Sequence, residues 1–153
     1  MAPGDDANTD VYFGCEDSTI HVMEWDGESL ETKTAESSTD DLVIDVGLGM
    51  IKAMFYHQTS ESVYVVSEGS GADYLQVSTL STDDLTLNAN SGYPVQLAYG
   101  TFQDAAMNAN YLFVAHGNDD ISSLLPGSTG ATINLIPTIS MTIEGITPSF
   151  NGA

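Results

Sequence analysis

Residues 62–80, SVYVVSEGSGADYLQVSTL, carry a design that recurs twice elsewhere in the chain. A β-branched and aromatic run, Val63-Tyr64-Val65-Val66, stops at Glu68-Gly69-Ser70-Gly71, and an alternating run follows from Tyr74 to Leu80. Two strands joined by a tight turn is the direct reading. The pattern occurs earlier as Val11-Tyr12-Phe13-Gly14, a turn at Glu16-Asp17-Ser18, and a second run from Thr19 to Trp25. It occurs later as Tyr111-Leu112-Phe113-Val114, a turn at His116-Gly117-Asn118-Asp119-Asp120, and a run from Ile121 to Leu125. Aligned on Tyr12, Tyr64 and Leu112 the copies stand 52 and 48 residues apart. Such a period predicts one four-stranded sheet per copy.

The charge balance is extreme. Among 153 residues, 22 are acidic and only Lys33 and Lys52 are basic, so the formal net charge is −20. At ordinary ionic strength that charge repels itself, whereas a Debye length of about 3 Å in molar salt removes most of the repulsion. The composition therefore predicts a halophilic source, a haloarchaeon or its virus. A content of 42% hydrophobic residues, rich in β-branched and aromatic types, argues against disorder over most of the chain. Phosphate neutralisation needs Lys and Arg, so nucleic acid is excluded as a partner, and phosphoryl chemistry is disfavoured. No Walker or dinucleotide glycine fingerprint occurs. No apolar run reaches the roughly 18 residues of a membrane span. The first residues, MAPGDDANTD, lack the basic and apolar profile of a signal peptide. Cys15 lies in an apolar run and is expected to be a structural thiol.

Along the chain, residues 1–9 are expected to form a flexible arm, residues 10–125 a repeat-built β domain, and residues 126–153 a low-charge tail that forms strands. Asp26-Gly27 is a turn, residues 30–34 an outer strand and residues 36–41 an exposed loop. Leu48, Ile51 and Phe55 are spaced for a helix, but Gly47 and Gly49 argue for an inner strand over residues 50–56. Residues 85–87 are read as the outer strand of the second copy, and residues 95–99 and 105–109 as the approach to the third.

The tail departs from the rest in charge, since Glu144 is the only acidic residue beyond Asp120. A segment so poor in carboxylates is expected to be covered, either by its own chain or by a neighbouring subunit. Its candidate interface residues are Ile133, Leu135, Ile136, Ile139, Met141, Ile143, Ile146 and Phe150.

No catalytic, cofactor or metal constellation stands out. His21, His57 and His116 lack metal-ligand spacing. The pairs Asp40-Asp41, Asp83-Asp84 and Asp119-Asp120 lie near turns and match no calcium-loop pattern. Serine, histidine and acid residues are present, but no G-x-S-x-G elbow strains a serine for attack. Trp25 with Tyr12, Tyr64, Tyr74, Tyr93 and Tyr99 supplies aromatic surface for packing between sheets or for a sugar ring.

The stretches YVVSEGSGADYLQVSTLSTDDLTL, VYFGCEDSTIHVMEWDGESLET and YLFVAHGNDDISSL resemble the blades of lactonase-like and YVTN-type β-propellers. The resemblance spans roughly residues 10–125 and implies an all-β fold of propeller-like antiparallel sheets, with about three blade-like repeats. A compact β-sandwich or barrel is the alternative, and an α+β fold a third. Closed propellers carry four to eight blades. The resemblance therefore also implies completion of a ring by oligomerisation, as in lectins that assemble one from short chains. It carries no site residues over to this chain.

Together these readings predict a non-catalytic structural or attachment component of a halophilic assembly, homo-oligomeric, in a virus particle or cell-surface layer. The expected partners are copies of itself, other proteins of that assembly and a cell-surface glycan. A lactonase-like hydrolase and a glycan-binding module are the alternatives, and a cytoplasmic location is the alternative to the virion or cell surface. No cofactor is expected.

Overall fold

The computed structural model describes residues 9–34, 40–47, 49–69, 74–90, 92–97, 100–117, 120–126 and 134–136. The fold is all-β, built from three four-stranded antiparallel sheets. The first sheet holds β1 (Thr9–Gly14), β2 (Thr19–Trp25), β3 (Leu30–Thr32) and β4 (Val43–Asp45). Both β3 and β4 pair with the same edge of β2, one at each end. The second sheet is a meander of β5 (Ile51–His57), β6 (Ser62–Glu68), β7 (Leu75–Ser81) and β8 (Val95–Gln96). The third runs β9 (Phe102–Met107), β10 (Leu112–His116), β11 (Asp120–Leu124) and β12 (Asn134–Ile136).

The repeat is visible in the pairing register. Tyr12 lies opposite Val22, Tyr64 opposite Thr79 and Phe113 opposite Ser123. Two residues before each of those partners, Ile20 pairs Ile44, Val77 pairs Val95 and Ile121 pairs Ile136. The third copy therefore aligns on Phe113, one residue later than the expected Leu112. The reason is side-chain direction: Leu112 and Val114 point to the second sheet, as Val63 and Val65 point to the first.

The second sheet is the middle layer, and that explains why β6 is apolar without alternation. Tyr64 and Val66 pack with Leu75, Val77, Leu112, Val114 and Leu124 of the second and third sheets. Val63 and Val65 pack with Ile20, Val46 and Leu80, against the first sheet. A strand buried on both faces reads as a continuous hydrophobic run. At full burial each of these side chains contributes roughly 1.5–3 kcal/mol.

Two expected strands differ from the structure. Residues 85–87 make only one bridge, Leu87 to Leu80. Leu85 and Asn88 have positive φ, which bends the chain out of a ladder, and the fourth strand of that sheet is β8. Residues 95–96 thus close the second sheet instead of leading into the third, whose inner strand is β9. The turn after β9 is held by Asn108, whose side chain accepts from the backbone N–H groups of Asn110 and Tyr111 at 2.8 Å. The expected helical alternative at Ile51 and Phe55 gives way to β5; Leu48 lies outside the described residues.

Candidate functional site

Two features of the first sheet stand out, its outer face and a cavity where it meets the second sheet. Its inner face carries Tyr12, Ile20 and Ile44 against the second sheet. Its outer face is also apolar. Rows run across the strands from Phe13 to His21 to Val43, from Val11 to Met23 to Thr32, and from Thr9 to Trp25 to Leu30. These rows contain no carboxylate. Phe13 is 41% exposed, and Trp25, Leu30 and Val43 are exposed to a similar degree. Apolar side chains on both faces of β2 are the sequence signal for a sheet stacked on both sides, and the outer stack is open among the described residues.

The second feature is a cavity of about 490 Å³ where the first and second sheets diverge, lined by Thr9, Asp10, Tyr12, Glu24, Lys33, Tyr56 and Thr82. Asp10 and Glu24 are cross-strand neighbours on the inner face, and Glu31 lies opposite Glu24. Lys33 Nζ donates to both carboxylate oxygens of Asp10 at 2.8 Å. The Tyr12 hydroxyl is shut off from solvent and has no hydrogen-bond partner. Burial first, then the charge of Asp10 and the neighbouring Tyr56, push the Tyr12 phenol up to about 12. Tyr56 is 59% exposed.

A further cavity, of about 470 Å³, opens between the ends of β5 and β9 beside His57, Met107 and Asn108. Ser60 Oγ lies 2.8 Å from His57 Nδ1, and His57 Nε2 lies 3.1 Å from the Ala109 carbonyl oxygen. Because that carbonyl only accepts, the imidazole carries its proton on Nε2 and Nδ1 accepts. The pair has the outline of a nucleophile and its base, yet Ser60 does not line the cavity. Its backbone N–H also donates to Nδ1, so His57 caps the short 3-10 turn Gln58–Ser60 and ties it to the next sheet. His116 is fully buried beside Ser122, 2.8 Å away, in the third sheet. Among the described residues no three His, Cys, Asp or Glu side chains converge on a metal site. Cys15 is a free thiol at the first hairpin, partly exposed. Both lysines are held in ion pairs, Lys33 with Asp10 and Lys52 with Glu68.

Of the candidate interface residues in the tail, Leu135 and Ile136 lie on β12, paired with Ser122 and Ile121. Ile133, Ile139, Met141, Ile143, Ile146 and Phe150 lie outside the described residues. The aromatic residues do not form one platform. Tyr64 and Tyr93 make an edge-to-face pair in the core at 5.7 Å, whereas Trp25 and Tyr12 lie on opposite faces of the first sheet. Tyr99 lies outside the described residues. The cavity at Tyr56 escaped sequence reasoning. The apolar alternation of Val11, Phe13, His21, Met23 and Trp25 signals the outer face of the first sheet, but the sequence does not place Tyr56 opposite Tyr12. No helix among the described residues is long and apolar enough to cross a membrane. The chain matches no known family model, no curated protein and no solved structure.

Proposed function

We propose that the protein is a non-catalytic structural or attachment component of an assembly in high salt, a virus particle or a cell-surface layer, in which copies of the chain associate through the outer face of the first sheet. The observation that carries this reading is the carboxylate-free face of Val11, Phe13, Met23, Trp25, Leu30 and Val43 on a chain of net charge −20. The stacking of the sheets supports a second copy as the occupant. The Val63 and Val65 face of the second sheet packs against the first, and the Leu112 and Val114 face of the third packs against the second. The equivalent face of the first sheet suits a further sheet of the same kind, which another copy supplies. Such head-to-tail stacking is the propeller-like arrangement that the repeat suggests. Charge favours the same partner: between two strongly acidic surfaces, contact falls where carboxylates are sparse.

Light scattering or sedimentation in 2 M KCl tests the reading. The unmodified protein is expected to form a defined oligomer, and Phe13→Glu and Trp25→Glu to yield folded monomers. A monomer at every concentration, or an oligomer indifferent to both substitutions, would refute the proposal.

A further inference from the structure

The cavity between the first and second sheets has the chemistry of a small polyol site. Its walls combine an exposed ring, Tyr56, with carboxylates on Asp10 and Glu24, the ammonium of Lys33 and the hydroxyl-bearing Thr9 and Thr82. Its volume of about 490 Å³ falls in the range of small-molecule sites, roughly 300–1,000 Å³. The two carboxylates count against an anionic ligand, because the one cation in the cavity is already held by Asp10 through both oxygens. A bare metal ion is poorly served, since among the described residues no three acidic, His or Cys side chains converge on a metal site, and Glu31, next in the row, does not line the cavity. A neutral polyhydroxylated ring fits every wall. Its hydroxyls donate to carboxylate oxygens and accept from Nζ in short, charge-assisted bonds that dense salt screens little at contact distance. Its C–H face lies on an amphipathic tyrosine ring. Tyr12 lines the same space, so its ring reports on occupancy although its hydroxyl is shut off from solvent.

We infer that this cavity binds a neutral saccharide, a hexose or disaccharide unit, between Tyr56 and the charged cluster of Asp10, Glu24 and Lys33. The inference stands apart from the assembly reading, because the cavity opens between the sheets and not on the outer face of the first.

The test is NMR titration of the full chain in 2 M KCl with glucose, galactose, mannose, N-acetylglucosamine and their common disaccharides, with glucuronate as the anionic control. The expected result is saturable shifts of the Tyr56 and Tyr12 ring signals with at least one neutral sugar and none with glucuronate. Tyr56→Ala removes an exposed ring and is expected to weaken that sugar at least tenfold while the remaining spectrum is preserved. Absence of saturable shifts across the panel, shifts that map away from Tyr56 and Tyr12, or affinity unchanged in Tyr56→Ala would each overturn the assignment. Preferential binding of glucuronate would do so as well.

Discussion

Phe13 and Val65 occupy equivalent positions in the first and second sheets, each one residue after the aligned tyrosine, yet Phe13 is 41% exposed and Val65 is fully buried. The same place in the repeat therefore serves as core in one sheet and as surface in the other. Val65→Ala should cost about 2–3 kcal/mol of folding stability, from lost burial and the cavity left behind. Phe13→Ala should change the stability of the isolated chain by less than about 1 kcal/mol while weakening self-association. Chemical denaturation at a concentration that keeps both variants monomeric separates the two effects. Equal losses in both would mean that Phe13 is core within a single chain.

Gly14 of the first sheet lies close against side chains of the second. A Cβ built there stands 2.6 Å from Ile51 Cγ2 and 3.3 Å from Met54 Cε, so a methyl group has no room unless the Ile51 side chain or the two strands shift. Gly14→Ala should destabilise the fold by about 1–3 kcal/mol through overpacking. The loss should shrink when Ile51→Ala is added, and a double-mutant cycle of denaturation midpoints should give a favourable coupling of about 1 kcal/mol. Strict additivity would show that the two sheets do not share this contact.

How much of this was legible in the sequence depends on how local the cause is. Turn chemistry is local, and the Asp17, Asp26 and Asn108 turns all lie where short polar residues interrupt the apolar runs. The run Val63-Tyr64-Val65-Val66 foretold a strand, while its burial on both faces became visible only in the packing of the three sheets. The fourth row of the second sheet was not legible, because β8 is only Val95–Gln96 and owes its pairing to Gln76 and Val77 far earlier in the chain. The Leu85-Thr86-Leu87 triplet looked the better strand by propensity, but positive φ at Leu85 and Asn88 breaks it. The cavity was illegible for a related reason. Tyr12 and Tyr56 meet through the packing of two sheets, and no spacing along one strand encodes that.

Alkaline pH should weaken the fold through its inner tyrosines. The Tyr12 phenol is raised to about 12, chiefly by burial, and burial followed by proximity to Tyr64 also raises Tyr93. A raised phenol means that the folded state holds its proton where the unfolded chain has released it. Stability from this source is therefore complete below pH 10 and is lost as the pH climbs through about 12. Denaturation midpoints measured from pH 9 to 12 should fall, and Tyr12→Phe should flatten part of the slope. A midpoint constant across that range in the unmodified protein would contradict the burial of these hydroxyls.

Asp10, Glu24 and Glu31 form a cross-strand row of three carboxylates on one face of the first sheet, with Lys33 bound to Asp10 at one end. Like charges opposite one another in a sheet are destabilising by roughly 0.2–1 kcal/mol per pair, and that penalty depends on screening. Glu31→Gln removes the outermost charge without touching the Lys33 pair, so it should raise the thermal midpoint in 0.1 M KCl. In 2 M KCl the Debye length is below about 3 Å and the advantage should vanish. The unmodified protein should itself gain stability across the same salt range, by far more than the loss of its two ion pairs can cost, since exposed pairs contribute at most about 1 kcal/mol each. Neutral Gln at position 31 thus separates local repulsion from the general effect of net charge. If Glu31→Gln stabilises equally at both salt concentrations, the benefit comes from packing or strand propensity, and the carboxylate row has no electrostatic cost.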